Sequence, residues 1–495
     1  MITLIHIHPD DNVAVAVERL EAGATVSVGE LAIRLREPIL AGHKVALRDL
    51  DAGAPIIKYG FPIGSLSEGV VAGGWVHSHN LKTGLGELLS YHYRPALRTP
   101  ETRPMPYFDG YRRSSGRVGT RNEIWVLNTV GCVNRAAERI AQHAARRFGD
   151  RVDGFHAFSH PYGCSQLGDD LQYTQRVLAG LMRHPNAGGV LVLGLGCENN
   201  QMADLMAMAG DVDPRRMRFF NSQEVLDEVD EGLEAVGELV EVIAHDQRVP
   251  CPASDLVLGL KCGGSDGFSG LTANPLVGHV ADRLTDLGGT ALLTEVPEMF
   301  GAEQVLMNRA QDEATFAAIG RMINDFKQYF IRHDQPIYEN PSPGNKDGGL
   351  TTLEEKSLGA IQKGGRATIT QVLRYGEAVS PGGLALLEAP GNDGVSSTAM
   401  TVSGATVLLF TTGRGTPLGF PAPTVKIATN SAIAHKKPHW IDFNAGRLLE
   451  GSATMAELTD DLFAYILDLA SGRRQANNES NEYREIAIWK DGVTL

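Results

Sequence analysis

The sequence predicts an α/β protein in which a small N-terminal mostly-β domain precedes two α/β domains with largely parallel sheets. Three observations carry this reading. Short β segments punctuated by single glycines fill residues 1–95. From Asn122 onward, apolar strand-like runs alternate with helical ones, the rhythm of βα units on a parallel sheet. That alternation restarts near residue 250, and a chain of 495 residues is too long for one ordinary core.

Within residues 1–95, segments 24–28 and 54–59 read as strands between turns at Gly23, Gly42, Gly53, Gly60, Gly64 and Gly73-Gly74, with one helix expected over 13–21. Residues 96–111 contain Pro100, Pro104 and Pro106 without sustained periodicity and read as an extended linker. In residues 112–250, strands over 124–127, 154–158 and 189–195 alternate with helices over 135–147, 169–183 and 200–209. A long acidic helix over 222–244 closes that unit. Residues 251–495 begin with strands over 256–260 and 291–294 and a long helix over 302–332. A glycine/proline loop over 338–349, strands over 384–387, 406–410 and 424–428, and a helix over 455–470 follow.

Composition narrows the class. A formal charge of −14 disfavours general affinity for nucleic acid or anionic membrane, although local cations can still hold a small anion. Five cysteines in so long a chain make no disulfide framework, and a reducing cytoplasm is expected. The first residues lack a basic stretch before an apolar one, and no apolar run approaches the roughly 20 residues a membrane helix needs. The expectation is a soluble, untargeted protein.

Cys132, Cys164, Cys197 and Cys262 each sit in a glycine-containing turn at the end of a predicted strand. In open α/β sheets that edge is where ligands bind. Thiols repeated there suggest soft metal ligands or nucleophiles, and so an enzyme. His77 and His79 alternate across Ser78, so both imidazoles can face one ion; two surface histidines at a strand end fit equally. His160, four residues before Cys164, is a candidate base or acid beside a thiol, or a helix-capping residue.

The loop Gly263-Gly264-Ser265-Asp266-Gly267 offers backbone N–H groups to a carboxylate or phosphate, without the glycine–lysine–serine ending of a phosphate loop. Lys346 and Arg414, each the lone cation of a polar loop, are candidate carboxylate clamps, and Asn345 and Thr416 candidate partners for hydroxyls. Ser265 and Asp266 complete the expected substrate-binding set. Glu295 and Glu298 read as capping or solvated carboxylates more readily than as acid/base groups.

These motifs, together with 8–15 (His8 to Val15) and 42–47 (Gly42 to Leu47), closely resemble the altronate/galactarate dehydratase family, and the resemblance runs the full length. It implies a β-clip at the N-terminus, a large catalytic region and a hydro-lyase. The intact His77-Ser78-His79-Asn80 and the presence of both regions in one chain favour dehydration of D-altronate to 2-dehydro-3-deoxy-D-gluconate, in hexuronate catabolism, over galactarate dehydration or sulfolactate cleavage. The resemblance also implies ferrous iron, with manganese as a substitute and an iron–sulfur cluster as the alternative. His77, His79, Cys132, Cys164, Cys197 and Cys262 are the ligand candidates. The expected partner is a small sugar acid, and self-association is left open. A non-catalytic sugar-acid sensor is the competing class.

Overall fold

The computed structural model describes residues 3–85 and 91–493. It contains the expected α/β architecture. The N-terminal domain is built from a four-stranded antiparallel sheet (Leu4–Ile5, Val13–Ala16, Lys44–Ala46, Trp75–Val76), the hairpin Thr25–Val28 with Leu31–Arg34, and a three-stranded sheet of Pro55–Lys58, Phe61–Leu66 and Leu81–Lys82. The expected helix over 13–21 is instead the strand Val13–Ala16, paired on both sides and buried at all four positions. Alternate β-branched valines fit a pleated interior better than a helix.

The second domain is a four-stranded parallel sheet ordered Gly154–Ala157, Glu123–Asn128, Ala187–Gly194, Met217–Asn221. Its central strands are buried along their length because helices Asn134–Phe148 and Glu228–Ile243 pack together over the sheet. The acidic helix starts six residues later than expected, where the Asp227 side chain accepts from the backbone N–H groups of Val229 and Asp230.

The third domain carries a seven-stranded parallel sheet. Its order is Ile369–Leu373, Gly383–Leu387, Thr290–Leu293, Val257–Cys262, Val407–Thr412, Thr424–Ala428, Phe443–Asn444. Strand order reverses beside Val257–Cys262, the kind of switch point where α/β sheets bind ligands. The helical stretch over 302–332 is broken into Glu303–Met307 and Glu313–Arg332, the second capped by Asp312.

Residues expected as linker are irregular only as far as Pro106. Tyr107–Arg112 is a strand that pairs antiparallel with Val249–Pro252, Phe108 opposite Cys251, so the chain enters and leaves the second domain through one ribbon. Helices Gly168–Met182 and Asp393–Val402 pack between the two parallel sheets, Gly180 lying against Val402. No helix among the described residues is long and apolar enough to cross a membrane.

Candidate active site

Charge is drawn inward where the seven-stranded sheet ends its strands. The strand Val257–Cys262 delivers Lys261 and Cys262; Glu295 and Glu298 follow Thr290–Leu293, and Asp393 follows Gly383–Leu387. Lys356 on helix Leu353–Ala360 and Lys363 on the turn Ile361–Gly364 approach from above. Lys261 Nζ pairs with Glu295 and lies 2.8 Å from Asp393. Lys363 Nζ donates to Cys262 Sγ at 2.7 Å and reaches Glu295 at 3.4 Å. Lys356 Nζ is 2.8 Å from Glu298 and donates to Asn340 Oδ1 at 2.9 Å. The Cys262 thiol donates to Glu298 at 3.3 Å.

Lys261 and Glu295 are fully buried. Unpaired charges there would be costly, so the pairing is a condition of folding as well as of chemistry. Glu295 adopts φ 69°, a left-handed conformation rare for a non-glycine residue and of a kind that gathers at functional sites.

The cluster sets protonation states. Burial pushes the Cys262 thiol up to about 12, with Glu298 adding to the shift, so sulfur stays protonated. Burial alone would raise Glu298, but Lys356, Lys363 and Lys261 outweigh it and hold the carboxyl at about 2. Burial and the Glu298 charge raise Glu295. Burial would also lower Lys356 and Lys363, yet the groups packed against them, Glu298 foremost for Lys356 and Cys262 with the Glu295 and Glu298 carboxylates for Lys363, raise both and keep them ammonium ions.

A cavity of about 900 Å³ opens over this cluster, lined among others by Cys262, Glu298, Lys356, Asp393, Asn345 and Lys346. The N-terminal domain borders it. His77 Nε2 donates to the Lys346 carbonyl at 3.0 Å, and His43 meets the Asp347 carbonyl at 3.3 Å. Lys44 and Lys58, both fully buried, clamp Glu355 at 2.9 Å and 2.6 Å. Three backbones touch here: a Cβ on Gly267 would stand 2.0 Å from the Gly42 oxygen and one on Gly349 2.2 Å from it, which only glycine permits.

Several expected site residues have other work. Asn345 and Lys346 line the cavity, but Asn345 also spends its amide on the Ser265 carbonyl at 2.9 Å. Asp266 is buried and accepts from Ser269, Thr429, Asn430 and the Phe268 N–H, so it knots two loops together rather than facing the cavity. Ser265 contributes that carbonyl. Arg414 is exposed and Thr416 accepts from the Leu418 N–H; neither lines the cavity.

His160 is buried, donates through Nε2 to the Asn128 carbonyl at 2.8 Å and accepts the Tyr162 N–H at Nδ1. Both ring nitrogens brace loops of the second domain, and burial lowers the imidazole pKa. It has no free nitrogen for acid or base work.

The expected iron ligands do not converge on one ion. His77 is stacked between His43 and Trp75, its Nε2 on Lys346 and its Nδ1 on Ser78; His79 is exposed, against the Trp75 ring. Cys132, Cys164 and Cys197 are exposed on the second domain, and Cys262 is buried in the third. Among the described residues, Cys262, Glu295 and Glu298 alone bring three ligand atoms within 4.8 Å of one another. Lys261, Lys356 and Lys363 already occupy those atoms, and three ammonium groups repel a divalent cation. A mononuclear iron on this His/Cys set does not fit.

Sequence reasoning missed Lys261, Lys356, Lys363 and Asp393 and set Glu295 and Glu298 aside. The available signal was Lys261 itself, a lysine inside the apolar run 256–262.

Comparison with known proteins accounts for the whole chain. Family models described as altronate/galactarate dehydratase SAF domain, D-galactarate dehydratase/altronate hydrolase second domain, and D-galactarate/altronate dehydratase C-terminal match residues 2–84, 110–244 and 253–494. The chain is 52% identical to altronate dehydratase of Escherichia coli (strain K12) over 99% of both chains, and 49% identical to that of Bacillus subtilis (strain 168) over 100% of both. Galactarate dehydratase (L-threo-forming) of E. coli is 36% identical over 98% of this chain and 96% of its own. With the same three domains in the same order and a charged pocket at the sheet edge, the chain belongs to the altronate/galactarate dehydratase family of hydro-lyases.

Proposed function

We propose that this chain dehydrates D-altronate to 2-dehydro-3-deoxy-D-gluconate, as a cytoplasmic step of hexuronate breakdown. Two relatives near half identity bear the altronate name, whereas the galactarate enzyme stands at 36%. The observation that carries the chemistry is the buried lysine–carboxylate–thiol cluster beneath a cavity large enough for a six-carbon acid.

The difficulty of the reaction is the weak acidity of the proton beside an ionised carboxylate, whose removal places a second negative charge on that group. Ammonium groups held in place before the reaction stabilise that charge where it develops. Lys356, steadied by Glu298, takes this role, and Lys346 meets the substrate carboxylate from the cavity wall. Asp393, the carboxylate that lines the cavity while held by Lys261, accepts the C2 proton. The C3 hydroxyl leaves with the proton of the Cys262 thiol, and Lys363 returns a proton to sulfur. The enol formed takes up a proton at C3 and becomes the keto acid. The arrangement supports catalysis over a sugar-acid sensor, because recognising hydroxyls requires no relay of buried ammonium and thiol.

The test is an anaerobic assay of metal-replete protein against D-altronate, galactarate and sulfolactate, following 2-keto-3-deoxy acid and sulfite. Altronate is expected to exceed the others in kcat/KM by more than tenfold. Equal rates on two substrates overturn the assignment.

A further inference from the structure

A second cavity, of about 550 Å³, lies against the second domain where strands Ala187–Gly194 and Met217–Asn221 begin. The third domain closes one side of it through Ala378, Val402 and Gly404. It shares no lining residue with the substrate cavity. The helix Asp393–Val402 runs between the two: its first residue stands in the substrate cavity and its last in this one, about 15 Å apart along the helix axis.

Five arginines line it, Arg113, Arg117, Arg183, Arg215 and Arg216, in a chain whose formal charge is −14. Three of them are neutralised nearby. Arg113 and Arg216 share Asp246 at 2.9 Å and 2.7 Å, and Arg215 holds Asp213 at 2.8 Å. Arg117 and Arg183 form no ion pair among the described residues, and Asp211, the remaining carboxylate of the wall, is exposed. The cavity is therefore net positive within an acidic protein.

The two unpaired guanidinium groups bond to carbonyls only. Arg117 donates through Nη2 to the Val379 carbonyl at 2.7 Å, and Arg183 through Nη1 to those of Met208 and Ala209, both at 3.0 Å. The other two nitrogens of each have no partner among the described residues. In Arg183 these are Nε and Nη2, the fork that meets a pair of oxygens on one anion. Gly404 adopts φ 115°, and a Cβ there would stand 2.3 Å from Arg117 Nη1, so glycine at this position leaves the guanidinium its place.

Burial and, after it, the Arg183 charge lower the Arg117 pKa, and burial lowers that of Arg183. Neighbouring cations held partly out of water without a counter-charge cost stability for the same reasons. A doubly charged anion between them removes that cost. We propose that this cavity binds a small phosphate ester, its phosphoryl group held by Arg117 and Arg183.

The rest of the cavity says why an ester and not the bare ion. Met182, Val190, Met217 and Val402 give it a buried apolar floor, and its volume falls in the range of sites for organic ligands, of which phosphate alone fills a small part. Guanidinium groups match phosphoryl oxygens in geometry, and a phosphate ester carries a charge of about −2 at neutral pH. Ser114 and Ser115, exposed in the turn between Tyr107–Arg112 and Val118–Gly119, offer hydroxyls to the polar part of the ester's body.

The experiment is isothermal titration calorimetry of the full chain at low ionic strength with ribose 5-phosphate, adenosine 5′-monophosphate, inorganic phosphate and ribose. At least one of the two esters is expected to bind with a Kd below about 1 mM, about tenfold or more tighter than inorganic phosphate, and ribose should give no heat. Arg117→Met and Ser114→Glu should each weaken that ester by about tenfold or more. The glutamate replaces an exposed hydroxyl that bonds to none of the described residues, so its Tm should match wild type and its reading does not depend on how the arginine variant folds. Absence of heat with both esters, inorganic phosphate bound as tightly as they are, or an ester held unchanged by Ser114→Glu, which would put it among the lysines of the substrate cavity, would overturn the proposal.

Discussion

Lys363 Nζ lies 2.7 Å from Cys262 Sγ, the closest approach of an ammonium group to sulfur at the sheet edge, and it reaches Glu295 at 3.4 Å with its remaining hydrogens. The contact joins a turn of the last domain to the end of a central strand, 101 residues away in sequence. Removing the cation leaves Glu295 and Cys262 facing each other without it. Lys363→Met should therefore cost about 3–5 kcal/mol in chemical denaturation and abolish turnover. A Lys363→Arg variant, which keeps the charge, should recover most of the stability but little of the rate. Equal stability of the methionine variant and wild type would show that the pair is not needed.

The docking of the N-terminal domain rests on Glu355. Burial would raise its carboxyl, but Lys44 and Lys58 outweigh this and hold it well below the usual carboxylate range. The unfolded chain binds a proton at about pH 4.3 that the folded chain refuses, so this stabilisation is complete above that pH and is lost as pH falls toward the folded value. Glu355→Gln should cost about 3–5 kcal/mol near neutrality and flatten the acid limb of a Tm-against-pH curve below about pH 4.3. An acid limb as steep as wild type would refute the assignment.

His184 sets a different window. It is fully buried against Trp125, donates to the Ala405 carbonyl at 3.0 Å, and its pKa is lowered by burial to about 4. Between about pH 6.5 and about pH 4 the unfolded chain is protonated at this position and the native chain is not, so stability falls as pH drops through that range. The effect is at most roughly 3 kcal/mol. His184→Gln, which hydrogen-bonds but does not titrate, should show a shallower decline over the same interval in Tm measured against pH.

How far the sequence could be read follows from which interactions are local. Glycine turns and apolar runs belong to short windows, so the three-part α/β organisation and the cysteine-bearing strand ends were legible. The Val13–Ala16 strand was not, because its valines and alanines satisfy a helical pattern as well until the partners Leu4–Ile5 and Lys44–Ala46 are known. The lysine cluster was hidden for a related reason. Lys261, Glu295, Asp393 and Lys363 lie tens of residues apart, each unremarkable in its own segment, and only the strand order makes neighbours of them. Glu295 and Glu298 look like capping carboxylates until the cations beside them are seen. Asp266 shows the reverse: its glycine-rich setting resembles a ligand loop, while the side chain is consumed in fastening that loop to Thr429 and Asn430.

Gly267 tests whether the closed roof matters to the cavity. Its N–H donates to the Gly348 carbonyl at 2.7 Å, and an added Cβ would run into the Gly42 backbone. Backbone cannot move aside as a side chain can, so Gly267→Ala should separate the N-terminal domain from the loop bearing Cys262. The expected result is a KM raised more than tenfold with faster proteolysis of the N-terminal domain. Unchanged KM with intact resistance to protease would mean that the gap closes without loss.

Asp393 offers the sharpest separation of binding from chemistry. Its side chain is 36% exposed toward the cavity while Lys261 holds it at 2.8 Å. Asparagine at this position preserves the size and an oxygen acceptor for Lys261, but cannot take a proton. Asp393→Asn should therefore leave KM for altronate within a few-fold of wild type and lower kcat by about 10²–10⁴. Lys356→Met should instead affect both parameters, because the ammonium group meets the bound carboxylate as well as the charge that grows on it. Steady-state kinetics of the two variants side by side distinguish these roles. An asparagine variant with wild-type kcat would transfer the base to another carboxylate of the cluster, and a Lys356→Met variant altered in KM alone would confine that lysine to binding.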